Sequence, residues 1–325
     1  MRTVIDSKSH GKRLDKLVEL QLKNAGFKQT TRSMIKNSIP LGVKINEEKG
    51  KPSYRCKQGD TLRIDEEFWK EFFDKKDLSE EIIPQQKKLN ILYEDKYLIV
   101  LYKPKNMVMH PGVGNKKNTL ANYIKGYLQA KNQYDTNVDR AGIVHRLDKS
   151  VSGIVVIAKN KYVQEELKKQ FTKRKVDKIY LAEIKKFKDS ELLNYPKSRI
   201  GKIVDKIEDG SVNYENWFRA KGFIGRDRVN RYRMVFRPYH FKGSKSAKGY
   251  ILPISGNKML IKILTGRMHQ IRATLYYYGC HIKGDTLYKP GRNSSLPEKI
   301  MLESIYLSFT HPVSKKKLSF INQKL

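Results

Sequence analysis

Gly142-Ile143-Val144-His145-Arg146-Leu147-Asp148-Lys149-Ser150-Val151-Ser152-Gly153 sets one carboxylate beside an arginine in a short polar loop. Its flanks, residues 142–144 and 154–158, are apolar runs that read as strands. The ordinary use of an Asp in such a loop is to cap a turn through its own neighbouring amides. Other stretches point to a chemical role instead. Downstream lie Lys178-Ile179-Tyr180-Leu181-Ala182 and Leu264-Thr265-Gly266-Arg267-Met268-His269-Gln270-Ile271-Arg272, then Gly279-Cys280-His281-Ile282-Lys283-Gly284-Asp285 and Tyr288. Upstream, residues 90–112 contain Tyr93-Glu94-Asp95, Lys103-Pro104 and His110-Pro111-Gly112.

The 325 residues exceed the usual size of one domain, which suggests a large domain with a smaller companion. Hydrophobic residues make up 39% and charged residues 31%, polar for a globular chain but not depleted enough for disorder. Lys and Arg number 67 against 33 Asp and Glu, a net charge of +34 that would repel itself without a polyanionic partner. Nucleic acid is the economical partner, although a lysine-rich compositional bias contributes part of the excess. Cys56 and Cys280, far apart, support neither a disulfide framework nor a thiolate metal cluster. His110, His145, His240, His269, His281 and His311 never fall at the spacing by which a helix presents two metal ligands, so no metal is expected. Gly112 and Gly114 lack the third glycine of a dinucleotide loop. No apolar run approaches a membrane span and no leader is evident, which suggests a soluble cytoplasmic protein.

Residues 12–65 form a unit by pattern. Leu14, Leu17, Val18 and Leu22 recur at helical spacing; Thr30-Thr31-Arg32-Ser33 supplies helix-start chemistry before Met34, Ile35 and Ile39. A hairpin follows, with alternating residues at 43–46 and 61–64 and turn marks at Lys51-Pro52 and Gly59-Asp60. Residues 66–88 are rich in charge around Phe68-Trp69 and Phe72-Phe73, and read as a linker packing an aromatic pair onto the larger domain, residues 89–325. There, strands are expected at 91–93, 98–102, 154–158, 179–184, 232–236 and 259–264, with amphipathic helices at 161–171 and 267–278. Strands and helices do not alternate regularly, so the class is α+β rather than a doubly wound sheet. Residues 189–248 carry no clear periodicity.

The loop at 142–153 resembles the signature of the RluA/RluD family of RNA pseudouridine synthases, His-Arg-Leu-Asp, two variable residues, then Thr-Ser-Gly, with Val151 in place of the Thr. The stretches at 90–112, 178–182 and 264–288 are similar to that family's other blocks, in its order. Residues 12–65 resemble an S-four-like RNA-binding domain. The resemblance implies a mixed, mostly antiparallel sheet with a catalytic cleft across its centre, and isomerisation of uridine to pseudouridine in structured RNA, with large-subunit ribosomal RNA the expected substrate. That reaction breaks the bond from uracil N1 to the ribose anomeric carbon and rejoins the base through C5, so no redox cofactor or energy source is needed.

An ionised carboxylate is needed, and Asp148 is the candidate. The resemblance makes Arg272 its cation, whose planar fork can hold a carboxylate by two hydrogen bonds. Tyr180 would contact the base and help move the C5 proton. Arg146 would fill the stack left by an everted uridine. His145, Arg267, His269 and Gln270 are further substrate-side candidates, with the two histidines orienting their loops. Arg13, Arg32, Lys36 and Lys44, with Lys16, give the first domain a face for phosphate contacts. Basic runs at 173–175, 185–186, 226–233 and 315–317, interleaved with Phe187, Tyr232 and Phe236, extend the footprint. A monomer without small-molecule cofactor is expected. The competing reading is a non-catalytic RNA-binding ribosome-assembly factor on the same fold; a DNA-binding regulator is poorer, since no dimeric recognition-helix arrangement is visible.

Overall fold

Leu14, Leu17, Val18 and Leu22 form the buried stripe of helix α1 (Leu14–Asn24), packed with Ile35 and Ile39 of α2 (Arg32–Gly42). In the computed structural model, residues 1–27, 32–80, 82–112, 114–186, 192, 206–207, 212–254, 257–288 and 300–322 are described. Contacts divide the chain into two units, Met1–Glu81 and Ile82–Leu325. The first adds β1 (Arg2–Val4), β2 (Val43–Ile45), β3 (Glu48–Lys49) and β4 (Thr61–Ile64), in the order β1-β4-β2-β3. Asn46 and Glu47, at φ 51° and 63°, make the left-handed turn that joins β2 to β3.

The stretch expected to be a linker is different. Residues 66–80 form helix α3 (Glu66–Glu80), and Trp69 is fully buried in the core of the first unit, its indole N–H donating to the Gly42 carbonyl at 3.1 Å. Phe68, Phe72 and Phe73 pack against that same core, so the stretch belongs to the first unit. The compact unit therefore extends on both sides of residues 12–65, taking in β1 and α3.

In the second unit, β5 (Asn90–Glu94), β6 (Leu98–Lys103), β7 (Ser152–Ala158), β8 (Asp177–Lys186), β9 (Phe218–Arg226), β10 (Met234–Arg237), β11 (Lys245–Ile254) and β12 (Lys258–Ile263) are joined by β13 (Cys280–Ile282), β14 (Leu302–Thr310) and β15 (Lys317–Ile321). They form one sheet ordered β10-β9-β11-β12-β8-β14-β7-β6-β5, with β13 on β8 and β15 on β14. The β7–β14 pair is parallel and the other described pairs are antiparallel. This is the mixed, mostly antiparallel α+β architecture. Every residue of β7 is buried, as an unbroken apolar run demands of a central strand covered on both faces. Helices α4 (Leu120–Ala130), α5 (Lys161–Thr172) and α6 (Gln270–Tyr277) complete the unit. No helix among the described residues is long and apolar enough to cross a membrane.

Two boundaries next to the signature loop depart from expectation. Residues 142–144 are not a strand: Arg140, Ala141 and Gly142 take φ of 53°, 51° and 77° in a tight turn, and Ile143 makes only an isolated bridge to Ile157. A Cβ at Gly142 would stand 1.9 Å from the Ala158 carbonyl oxygen, so glycine is required there. Helix α6 begins at Gln270, not 267, because His269 is left-handed at φ 52°. Part of the region without clear periodicity folds as three antiparallel strands in the order β10-β9-β11, with β9 between the other two; Phe187 lies outside the described residues.

Candidate active site

The loop carrying Asp148 runs directly into β7, and Tyr180 sits in β8, with β14 between the two strands. Ser304 of β14 is in register with both Gly153 and Tyr180. Gly153, at φ 132°, lets the chains approach so closely that a Cβ would meet Ser304 backbone atoms at 2.4 to 2.5 Å. The register of three strands thus brings an acid and a phenol distant in sequence to one cleft of about 550 Å³. Arg146, Lys178, Arg267, His269 and Arg272 line it as well.

Asp148 is partly accessible, its side chain 23% exposed, and its Oδ2 lies 3.9 Å from His269 Nε2. The other ring nitrogen of His269 is 3.2 Å from the Tyr288 hydroxyl. That hydroxyl accepts from the Met234 amide and donates to the Met234 carbonyl at 3.1 Å. Burial pushes the Tyr288 phenol up to about 12, so it is neutral at physiological pH. Burial also raises the Tyr180 phenol far above its ordinary value; a hydrogen bond with Ser304 opposes this and the Asp148 charge adds to it. The Tyr180 phenol is therefore a neutral O–H at physiological pH.

Arg272 does grip a carboxylate by two hydrogen bonds, and that carboxylate belongs to Asp285: Nε and Nη2 each donate at 2.8 Å. Both side chains are essentially buried, at 3% and 0% exposure. Asp285 in turn accepts from the amides of Leu287 and Tyr288, so the pair fixes the segment that presents Tyr288. Arg272→Ala should cost about 3–5 kcal/mol in urea unfolding because it strands a buried carboxylate. Joint replacement of Arg272 and Asp285 by apolar residues should cost clearly less than the sum of the single changes; simple additivity would contradict the pairing.

The other predicted residues divide by use. His145 accepts from the Val156 amide at 3.0 Å and stacks on Phe171 at 4.7 Å, and burial, then Lys178, pulls its pKa down to about 3. It is thus a neutral brace for the loop. Gln270 accepts from the Arg267 amide and the Thr265 hydroxyl and donates to the Lys248 carbonyl, knitting the turn before α6. The Arg267 Nε donates to the Ser246 carbonyl at 3.0 Å, whereas Arg146 is exposed at the cleft. In the first unit Arg13 is engaged by Asp15 through two hydrogen bonds, while Lys16, Lys36 and Lys44 are exposed; the Arg32 side chain lies outside the described residues.

Sequence reading assigned no role to Lys103. It is wholly buried, and its ammonium donates to the carbonyls of Pro104, Met107 and Lys149 at 2.9, 3.0 and 3.3 Å, holding the end of β6 to the residue after Asp148. Burial lowers its pKa to about 8 against the pull of the Asp148 charge. The Lys103-Pro104 pair was its only signal in the sequence.

The family model described as RNA pseudouridylate synthase matches residues 97–277, which span this cleft's loop, Tyr180 and Arg272. The chain belongs to the RNA pseudouridylate synthase family. Among curated relatives, an uncharacterized RNA pseudouridine synthase of Helicobacter pylori is 31% identical over 340 residues, covering 98% of this chain and 89% of that protein. Ribosomal large subunit pseudouridine synthase D of Zymomonas mobilis is 27% identical over 303 residues, covering 89% and 84%. Among solved structures, human RNA Pseudouridylate Synthase Domain Containing 1 aligns at 20% identity and a TM-score of 0.49 over 73% of this chain and 84% of that one. The synthase is therefore an isomerase acting on RNA. Among its described residues no group of three or more His, Cys, Asp or Glu side chains could hold a metal ion.

Proposed function

We propose that this synthase converts uridines of large-subunit ribosomal RNA to pseudouridine, taking the target nucleotide out of its stack and using Asp148 as the nucleophile. The observation that carries the reading is the meeting of the Asp148 carboxylate and the neutral Tyr180 phenol in one cation-lined cleft, whose volume of about 550 Å³ lies in the range of small-molecule sites. The name of the Zymomonas mobilis relative supports the choice of ribosomal RNA.

In this reading an Asp148 oxygen attacks the anomeric carbon, and uracil leaves with the N1–C1′ electron pair. The base turns within the cleft, C5 then attacks C1′, and the carboxylate is released. The C5 proton departs through a neutral hydrogen-bonding partner, Tyr180, and N1 ends protonated. One C–N bond is exchanged for one C–C bond and nothing is gained or lost. Eversion costs a few kcal/mol of stacking, which favours loops and distorted sites. Arg146, which is exposed at the cleft, would occupy the space the uridine leaves. The test is to map pseudouridines in total RNA from cells with and without the protein. Loss of one or a few positions from large-subunit ribosomal RNA is expected; an unchanged ribosomal map with losses confined to transfer RNA would refute the choice of substrate.

A further inference from the structure

The segment from Arg219 to Lys248 holds ten Lys or Arg and a single acid, Asp227. It folds as β9, β10 and the start of β11, with β10 at the free edge of the sheet. Register places Lys221 directly opposite Lys248, a like-charge cross-strand pair that weakens a sheet unless an anion relieves it. Lys221, Arg226, Arg228, Arg231 and Arg237 are exposed, and among the described residues none of them forms an ion pair with an acid. The turn between β9 and β10 exposes Val229 at 96% and Tyr232 at 82%, an unusual place to leave an aromatic ring.

This tip is built rather than slack. The one acid, Asp227, is spent inside it, accepting from the amides of Val229 and Asn230 at 2.9 and 3.3 Å. Asn230 accepts from the Tyr232 amide at 3.0 Å, and the Asp227 amide donates to the Arg233 carbonyl at 3.1 Å. Arg226 itself donates from Nη1 to the Arg231 carbonyl, bracing the tip, so Arg228 and Arg231 are displayed from a fixed ribbon. The root of the ribbon is tied to the reaction site, because Met234 at the start of β10 is the residue whose backbone Tyr288 holds, and Tyr288 touches His269, which faces Asp148.

We infer that the β9–β10 hairpin is an RNA-docking arm that lies along the phosphates of a helical stem flanking the target uridine, with Tyr232 stacking on an unpaired base beside that stem. Guanidinium forks on a rigid ribbon suit a polyanion whose phosphates are themselves held at regular spacing. Stacking on an aromatic ring suits the unpaired bases at a stem's end. The arm's residues are not among those lining the cleft, and the inference rests on an RNA substrate without depending on which RNA it is.

The full-length protein should be titrated over a range of KCl concentrations with an RNA stem–loop and, separately, with a single-stranded oligouridylate of equal length. The Arg226→Gln/Arg228→Gln/Arg231→Gln variant should bind the stem–loop about tenfold more weakly or worse, and its slope of log affinity against log salt should shrink by about 2 to 3, near one per lost phosphate contact. Tyr232→Ala should weaken stem–loop binding while leaving that slope unchanged. Retention of the wild-type thermal melt checks that both variants fold. A triple variant with stem–loop affinity within twofold of wild type and an unchanged slope overturns the arm, as does an equal loss toward oligouridylate or toward anionic lipid vesicles, which would make the patch a general anion surface. These are binding measurements, so a ribosomal map that refuted the proposed substrate would leave their outcome standing.

Discussion

Asp148→Asn should abolish pseudouridine formation, with turnover below detection and a fall of at least about 10⁴, while RNA affinity stays within a few-fold of wild type. Asparagine keeps the shape and removes the charge, and the position tolerates the exchange because the side chain is partly exposed and its backbone carbonyl, not its carboxylate, closes the turn to the Val151 amide. The carboxylate's field is already felt by its surroundings: it raises both the Tyr180 and Tyr288 phenols and counters the depression of Lys103. Among the described residues no other acid lines the cleft to take over its role. The measurement is release of tritium from C5-labelled uridine in RNA, alongside direct binding. Turnover retained within tenfold of wild type would remove Asp148 as the nucleophile, whatever the binding result.

The parts of this site that were legible in the sequence are those set by local pattern. Strand β7 announced itself as a short apolar run and α5 as an amphipathic period; the structure adds the Asn160 cap, whose side chain accepts from the Val163 amide. Errors fell where backbone conformation defied side-chain character. Ile143 and Val144 are β-forming residues that follow two non-glycine left-handed residues, and no propensity announces a positive φ at Arg140 or Ala141. The same holds for His269, which delays α6. Around Trp69 the signal was present: Phe68, Trp69, Phe72 and Phe73 sit at helical spacing, but the surrounding charges gave the stretch the look of a linker. Partners across the fold were hidden altogether. Arg272 could be read as a carboxylate-gripping fork, yet only the closed structure pairs it with Asp285, and only the folded sheet sets Met234 under Tyr288.

Tyr180→Phe should lower kcat by about 10² to 10⁴, the usual worth of a positioned proton-transfer group, with little change in RNA affinity or melting temperature. The ring is 7% exposed and packed in the main core of the larger unit, and phenylalanine preserves that packing while deleting only the hydroxyl. What the hydroxyl can do is limited by its environment. Burial raises its pKa first, the Asp148 charge raises it further, and the Ser304 hydrogen bond recovers only part, so the neutral form persists past the ordinary tyrosine value of about 10. A phenolate base would impose an alkaline rise on the activity of the wild-type enzyme as it ionised. A neutral relay, accepting the C5 proton as it passes one on, predicts instead a kcat flat from about pH 7 to 9 with respect to this group. Tyr180→Phe at wild-type kcat would make the hydroxyl a bystander that merely satisfies Ser304. A wild-type kcat that climbs between pH 7 and 9 and loses the climb in the variant would show instead that the phenol ionises despite its burial.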